Sequence, residues 1–204
     1  MATPLALRSF VVLGADAGAG QTLVASALAQ ALCGQGVKAV AMKAVPHGDE
    51  LQRLAAASAF GLPPRVLRTP PGAPTLDAAV DTFRVLATWA DAVVLDGADP
   101  TSPDGADVAR ALGLPFVFVV GLRPGCAVAA VHKAQALARS GLECAGWVLN
   151  RSRPGDEAQL DSLRAGLPGP CLGSIPHLQP LAAGPAARAI DLPRTLAALA
   201  LPVA

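Results

Sequence analysis

Residues 10–22 read Phe-Val-Val-Leu-Gly-Ala-Asp-Ala-Gly-Ala-Gly-Gln-Thr. Four apolar residues, a Gly/Ala-rich turn and then an amphipathic run from Thr22 demand a buried strand that turns abruptly into a helix. A phosphate-binding loop is made this way. Its backbone N–H groups wrap an anion, a lysine reaches the β- and γ-phosphates, and a Ser/Thr hydroxyl serves Mg²⁺. Gly20 and Thr22 fit that pattern, but Gln21 stands where the lysine should be. A strand-turn-helix junction with no ligand is therefore the competing reading of this stretch taken alone.

The rest of the chain repeats the alternation. Apolar runs predict strands at 8–14, 38–42, 92–96, 116–120, 145–149 and 171–174, and helical spacing predicts helices at 22–32, 49–60, 76–90, 106–112, 127–139, 156–165 and 192–201. Between 61 and 75 lie Pro63, Pro64, Pro70, Pro71 and Pro74, which continue neither a helix nor a ladder, so this stretch reads as a long surface loop. Strands without a polar face, alternating with helices, point to an α/β fold. The expectation is a three-layer α/β/α, P-loop NTPase-like arrangement around a mostly parallel sheet, with residues 1–204 as one domain.

Composition narrows the function classes. Sixteen basic and 15 acidic residues give a formal charge of +1, with no block of like charge, so neither nucleic acid nor an anionic membrane is an expected partner. The longest apolar runs fall well short of the roughly 20 residues a bilayer span needs. No secretory leader is legible at the N-terminus. Cys33, Cys126, Cys144 and Cys171 are scattered without metal-ligand spacing. The expected location is cytoplasmic, with reduced thiols.

Ligands in parallel sheets bind outside the carboxyl ends of the strands. Residues 14–22, Lys43 to Asp49, Asp96 to Asp99, Arg123 to Cys126 and Asn150 all fall there by this reading. Asp96, after four apolar residues, has the placement of an acid that helps hold Mg²⁺ beside Thr22. It could also simply begin a turn. Lys43 could neutralise an anion or be an ordinary lysine at a strand end. His47, His132 and His177 share no metal spacing and read as surface or packing residues. Cys126, at a helix start, reads as a small packing residue.

Taken in order, these segments resemble the dethiobiotin synthetase family nearly end to end. Its loop, Gly-Thr-Asp-Thr-Glu-Val-Gly-Lys-Thr, is matched in register by Gly14, Asp16, Gly20 and Thr22. Its Lys-Pro-Val turn is similar to Lys43-Ala44-Val45, with Gly48 and Asp49 downstream. Glu-Gly-Ala-Gly-Gly resembles Asp96-Gly97-Ala98-Asp99-Pro100, and Leu-Gly-Cys-Ile-Asn-His resembles Pro124-Gly125-Cys126-Ala127-Val128-Ala129. Ala145-Gly146-Trp147-Val148-Leu149-Asn150 and Leu172-Gly173-Ser174-Ile175-Pro176 complete the series.

The resemblance implies a ligase that closes the ureido ring of dethiobiotin from 7,8-diaminopelargonic acid, CO₂ and MgATP, acting as a homodimer. It implies that Thr22, Asp16 and Asp96 serve Mg²⁺, with Asp49 a further candidate. The loop Gly14, Asp16, Ala17, Gly18, Ala19, Gly20, Gln21 and Thr22 would cradle the phosphates of ATP, with Asn150 reading adenine and Pro176 on the nucleotide side. Lys43 and Thr22 would be the catalytic pair, Lys43 holding carbamate or phosphoryl oxygens. His47, Gly125 and Cys126 would face the diaminopelargonate-like substrate, the last two across the dimer interface. The departures are Gln21 for lysine, Ala17-Gly18 for Thr-Glu, His47 for serine, Asp99-Pro100 for Gly-Gly and Val128-Ala129 for Asn-His. They leave open a non-catalytic family member that serves as a binding or regulatory subunit.

Overall fold

The computed structural model describes residues 8–44, 49–59, 75–97, 104–153, 156–179 and 181–200. His47, Asp99, Pro100 and nearly all of the proline-rich stretch lie outside the described residues. Six strands form one sheet: β1 (Phe10–Gly14), β2 (Ala39–Met42), β3 (Ala92–Asp96), β4 (Phe116–Gly121), β5 (Cys144–Ser152) and β6 (Cys171–Pro176). Their order is β2-β3-β1-β4-β5-β6, and every pairing between them is parallel. The expected mostly parallel sheet is thus wholly parallel. All residues of β1 to β4 are buried, which is why these strands carry Val, Leu, Ala and Phe on both faces.

Eight helices accompany the described strands: α1 (Gln21–Cys33), α2 (Glu50–Ala57), α3 (Leu76–Ala87), α4 (Gly105–Leu112), α5 (Cys126–Arg139), α6 (Glu157–Gly166), α7 (Ala183–Ala187) and α8 (Leu192–Leu199). Helix α1 packs with α2 and α7, while α3 packs with α4 and α5 with α6. These contacts match layers on the two faces of the sheet, since right-handed crossovers put the leftward connection through α1 opposite the rightward ones. Three helices begin on side chains that satisfy otherwise orphaned N–H groups. Thr75 accepts from Ala78 N, Asp104 from Ala106 N and Asp191 from Arg194 N.

Several boundaries differ from the sequence reading by a few residues, and one helix is new. Strand β5 runs on past Asn150 to Ser152 because β6 continues to pair with it, Ser152 lying opposite Pro176. Helix α3 stops at Ala87, where Thr88 and Trp89 close the last turn on Val85 and Leu86 carbonyls. The five-residue α7, with glycine and proline inside it, has no apolar periodicity to announce it; packing against α1 makes it helical.

Candidate functional site

Strand β1 lies between β3 and β4, and the chain leaves it in one direction while β4 continues in the other. Ligand clefts in such sheets open at this reversal. The turn 15–20 stands there, flanked by the ends of β2 and β3 on one side and of β4 and β5 on the other.

Four buried or half-buried side chains meet on the β3 side. Thr22 Oγ1 donates to Asp96 Oδ2 at 2.5 Å and lies 3.3 Å from Glu50 Oε1. Lys43 Nζ lies 3.0 Å from Glu50 Oε1, 3.3 Å from Asp96 Oδ2 and 3.5 Å from Thr22 Oγ1. The Lys43 and Asp96 side chains are 3% and 0% exposed, so this is a desolvated ion cluster. Such a cluster persists only where every charge has a partner. Among the described residues no buried side-chain nitrogen or oxygen lacks a hydrogen-bond partner.

The turn is built differently. Gly20, at φ +96°, precedes α1 as a left-handed N-cap, and no side chain caps the helix or places an acid in its first turn. The first N–H groups of α1 are left for another acceptor. A Cβ on Gly20 would also lie 2.1 Å from Asn150 Nδ2, which donates to Ala19 O at 2.8 Å. Asn150 therefore pins the turn from β5. Gln21 is buried, and its side chain folds back over the end of β1. A Cβ on Gly14 would meet Gln21 Nε2 at 2.0 Å, so a side chain there would have to displace the glutamine. Gln21 Nε2 also lies 3.5 Å from Asp16 O, at the outer limit of a hydrogen bond.

Two of the expected metal ligands, Asp16 and Asp49, are each paired with an arginine. Asp16 accepts from Arg123 Nη2 at 2.8 Å, so its carboxylate is held from the β4 side, across the turn from Asp96. Asp49 is exposed and pairs with Arg53 one helical turn on, while its neighbour Glu50 takes the inward position beside Lys43. Consecutive residues at a helix start point about 100° apart, so only one of two adjacent carboxylates can face the cluster. The oxygens present, Thr22 Oγ1, Asp96 Oδ2 and Glu50 Oε1, are the hard donors Mg²⁺ takes, with water and phosphate completing its shell. They fit that ion. Among the described residues no group of three or more His, Cys, Asp or Glu side chains could hold a metal.

Cys126 is 4% exposed and belongs to the hydrophobic core, in keeping with its reading as a small packing residue. Gly125, the left-handed N-cap of α5, is exposed, as is Val128 one turn on. Burial pushes the Cys144 thiol up to about 11 and raises Cys171, so neither is a thiolate near neutrality. Pro176 is exposed at the end of β6. A cleft of about 280 Å³ opens beside the turn, lined by Gly14, Gly18, Gln21, Gly97, Asp104 and Lys133 among others. Sequence reasoning missed Glu50, the Arg123 tie and Lys133. Arg123 was within a segment already placed at a strand end, whereas Lys133 sits mid-helix with no motif around it.

A family model described as an AAA domain matches residues 8–184. Among solved structures, the MinD cell division protein of Aquifex aeolicus superposes with a TM-score of 0.68 at 15% identity, covering 97% of this chain and 99% of that one. A ParA family ATPase from Chlorobium tepidum does so with a TM-score of 0.58 at 18% identity, covering 92% of each. At such identity the likeness shows the fold alone. The ATP-dependent dethiobiotin synthetase of Aromatoleum aromaticum is 35% identical over 206 residues, covering 84% of this chain and 91% of that protein. That of Ralstonia nicotianae is 36% identical over 220 residues, covering 91% and 96%. The chain belongs to the dethiobiotin synthetase family.

Proposed function

We propose that the protein is an ATP-dependent dethiobiotin synthetase that works without a loop lysine. The observation carrying this reading is the buried meeting of Thr22, Lys43, Glu50 and Asp96 beside a turn whose helix N–H groups are uncapped. In the proposed reaction one amine of 7,8-diaminopelargonic acid adds to CO₂ and forms a carbamate. A carbamate oxygen takes the γ-phosphoryl group of ATP, and the second amine then closes the ring on the carbonyl carbon with loss of phosphate. Phosphoryl transfer of this kind depends on positioning and charge neutralisation more than on covalent help.

The backbone of residues 15–20 and the first turn of α1 would hold the phosphates, with Thr22, Asp96 and Glu50 holding Mg²⁺, which when bound offsets phosphate charge. Lys43 would steady the carbamate and phosphoryl oxygens. Asn150, pinning the turn from β5, would stand on the adenine side with Pro176. The cleft toward Lys133 and the exposed start of α5 around Gly125 would take the diamine, in a cytoplasmic homodimer. Dimerisation is checked by sedimentation, where a single protomer mass removes that part.

A second reading is favoured by Gln21. Its neutral amide fills the space over Gly14, and a missing preorganised charge contact typically costs about 10²–10³ in rate. That reading makes the chain a non-catalytic binding or regulatory subunit. The deciding experiment measures dethiobiotin formation from diaminopelargonate, bicarbonate and MgATP for the natural chain and for Gln21→Lys. Turnover by the natural chain supports the synthetase. No product and no ATP binding sinks it, and recovery in Gln21→Lys assigns the defect to that side chain.

A further inference from the structure

Lys43 is held in an unusual way for a residue meant to touch phosphate. Its ammonium sits 3.0–3.5 Å from Glu50 Oε1, Asp96 Oδ2 and Thr22 Oγ1. Those are the three oxygens that suit a divalent cation, and all three face one point. The ammonium is at that point, with its side chain 3% exposed. One set of oxygens cannot hold an ammonium and a dication together, because like charges at contact distance in a partly desolvated site repel strongly. A lysine can yield the position, since its charge rides on a flexible four-carbon stem.

We infer that Lys43 and a divalent cation are alternative occupants of one site, and that Glu50 is the positioning residue that keeps Lys43 there until metal arrives. The inference rests on the reading of Thr22 and Asp96 as the metal-binding end of the site. Metal entry takes over the three oxygens and releases the ammonium toward the turn. The charge missing at Gln21 thereby reaches the anion side only when metal is present. Without metal, Lys43 is stowed among its three oxygen partners and does not reach an oxyanion at the turn. Glu50 does not touch substrate in this scheme; it sets how tightly Lys43 is kept.

Both tests use the full chain without nucleotide or diamine. In the first, Mn²⁺ binding is followed by electron paramagnetic resonance. Lys43→Met removes the internal competitor and should bind Mn²⁺ at least tenfold more tightly than the natural chain; equal or weaker binding overturns the inference. In the second, amine acetylation by N-hydroxysuccinimidyl acetate is read residue by residue by mass spectrometry on the natural chain, which needs no variant to fold. Saturating Mg²⁺ should raise the Lys43 rate at least fivefold while leaving Lys133, an exposed control, unchanged. A Lys43 rate indifferent to Mg²⁺ overturns it. Glu50→Gln should label Lys43 quickly with no metal present, and Glu50→Asp should restore protection; a Glu50→Gln rate matching the natural chain removes Glu50 from its positioning role. If exchange occurs and no dethiobiotin forms, the synthetase reading fails while this inference stands. If dethiobiotin forms and Mg²⁺ leaves labelling unchanged, the inference fails alone.

Discussion

The turn at residues 15–21 and the cluster of Thr22, Lys43, Glu50 and Asp96 adjoin each other, yet they handle charge in opposite ways. The turn offers backbone N–H groups, a buried neutral amide at Gln21 and one carboxylate already engaged by Arg123. The cluster packs a lysine and two carboxylates at near-contact distance, with only Glu50 partly open to water. A cation inside the turn would be available at all times, whereas one inside the cluster is restrained by its own partners. Charge in this site is thus displaced from the turn to its neighbour, where Lys43 is tied to Glu50 and Asp96.

Disrupting the cluster should have the larger effect. Asp96→Ala leaves Lys43 buried with fewer partners, and breaking such a pair costs about 3 kcal/mol of stability. Urea denaturation should show that loss, and calorimetry should show Mg²⁺-dependent ATP binding weakened at least tenfold; unchanged affinity would remove Asp96 from the site. Next comes the turn. Asn150→Ala deletes the 2.8 Å hydrogen bond to Ala19 O and leaves that carbonyl unpaired, for about 1–3 kcal/mol in the same measurement. Arg123→Ala should cost under about 1 kcal/mol, because exposed ion pairs contribute little. If Arg123→Ala weakened ATP binding as much as Asp96→Ala, charge in the turn would matter as much as charge in the cluster.

The smallest effect lies away from the site and calibrates the others. Arg8 donates two hydrogen bonds to the Glu143 carboxylate and holds it below the usual carboxylate range. That contribution, about 0.5 kcal/mol for an exposed pair, is present above the unfolded value and lost as pH falls through the depressed folded one. Glu143→Gln should therefore be slightly less stable than the natural chain at pH 7. The gap should close below pH 4, and a constant gap would refute the pairing.

The sheet was legible because four of its six parallel strands announce themselves as apolar runs leading to a residue at the site: Leu13-Gly14, Met42-Lys43, Leu95-Asp96, Leu149-Asn150. Strand ends gather at one edge whatever their order, so Thr22, Lys43 and Asp96 could be collected without knowing it. Directions of side chains were not legible. Asp49 and Glu50 are equivalent letters until the start of α2 fixes which one faces inward, and Asp16 could not be assigned to Arg123 before β4 was known to lie beside β1. The burial of Cys126 and the exposure of Val128 could not be told apart either, since the first turn of a helix has both a buried and an exposed side. Gln21 was legible as a missing charge, but its fold back over Gly14 needed coordinates.

The bond from Asn150 to Ala19 joins residues 131 apart in the chain. It also sets an order of assembly. In a polypeptide made from its N-terminus, β1 and the turn emerge before the rest of the sheet, but β1 has no partner strand until β3 and β4 arrive. The turn lacks its pin until β5 has docked beyond them. Such long-range parallel pairing is intrinsically slow. The most recognisable segment of the sequence is therefore synthesised early and finished late, and a truncated chain ending before Asn150 would carry the loop's letters without its shape.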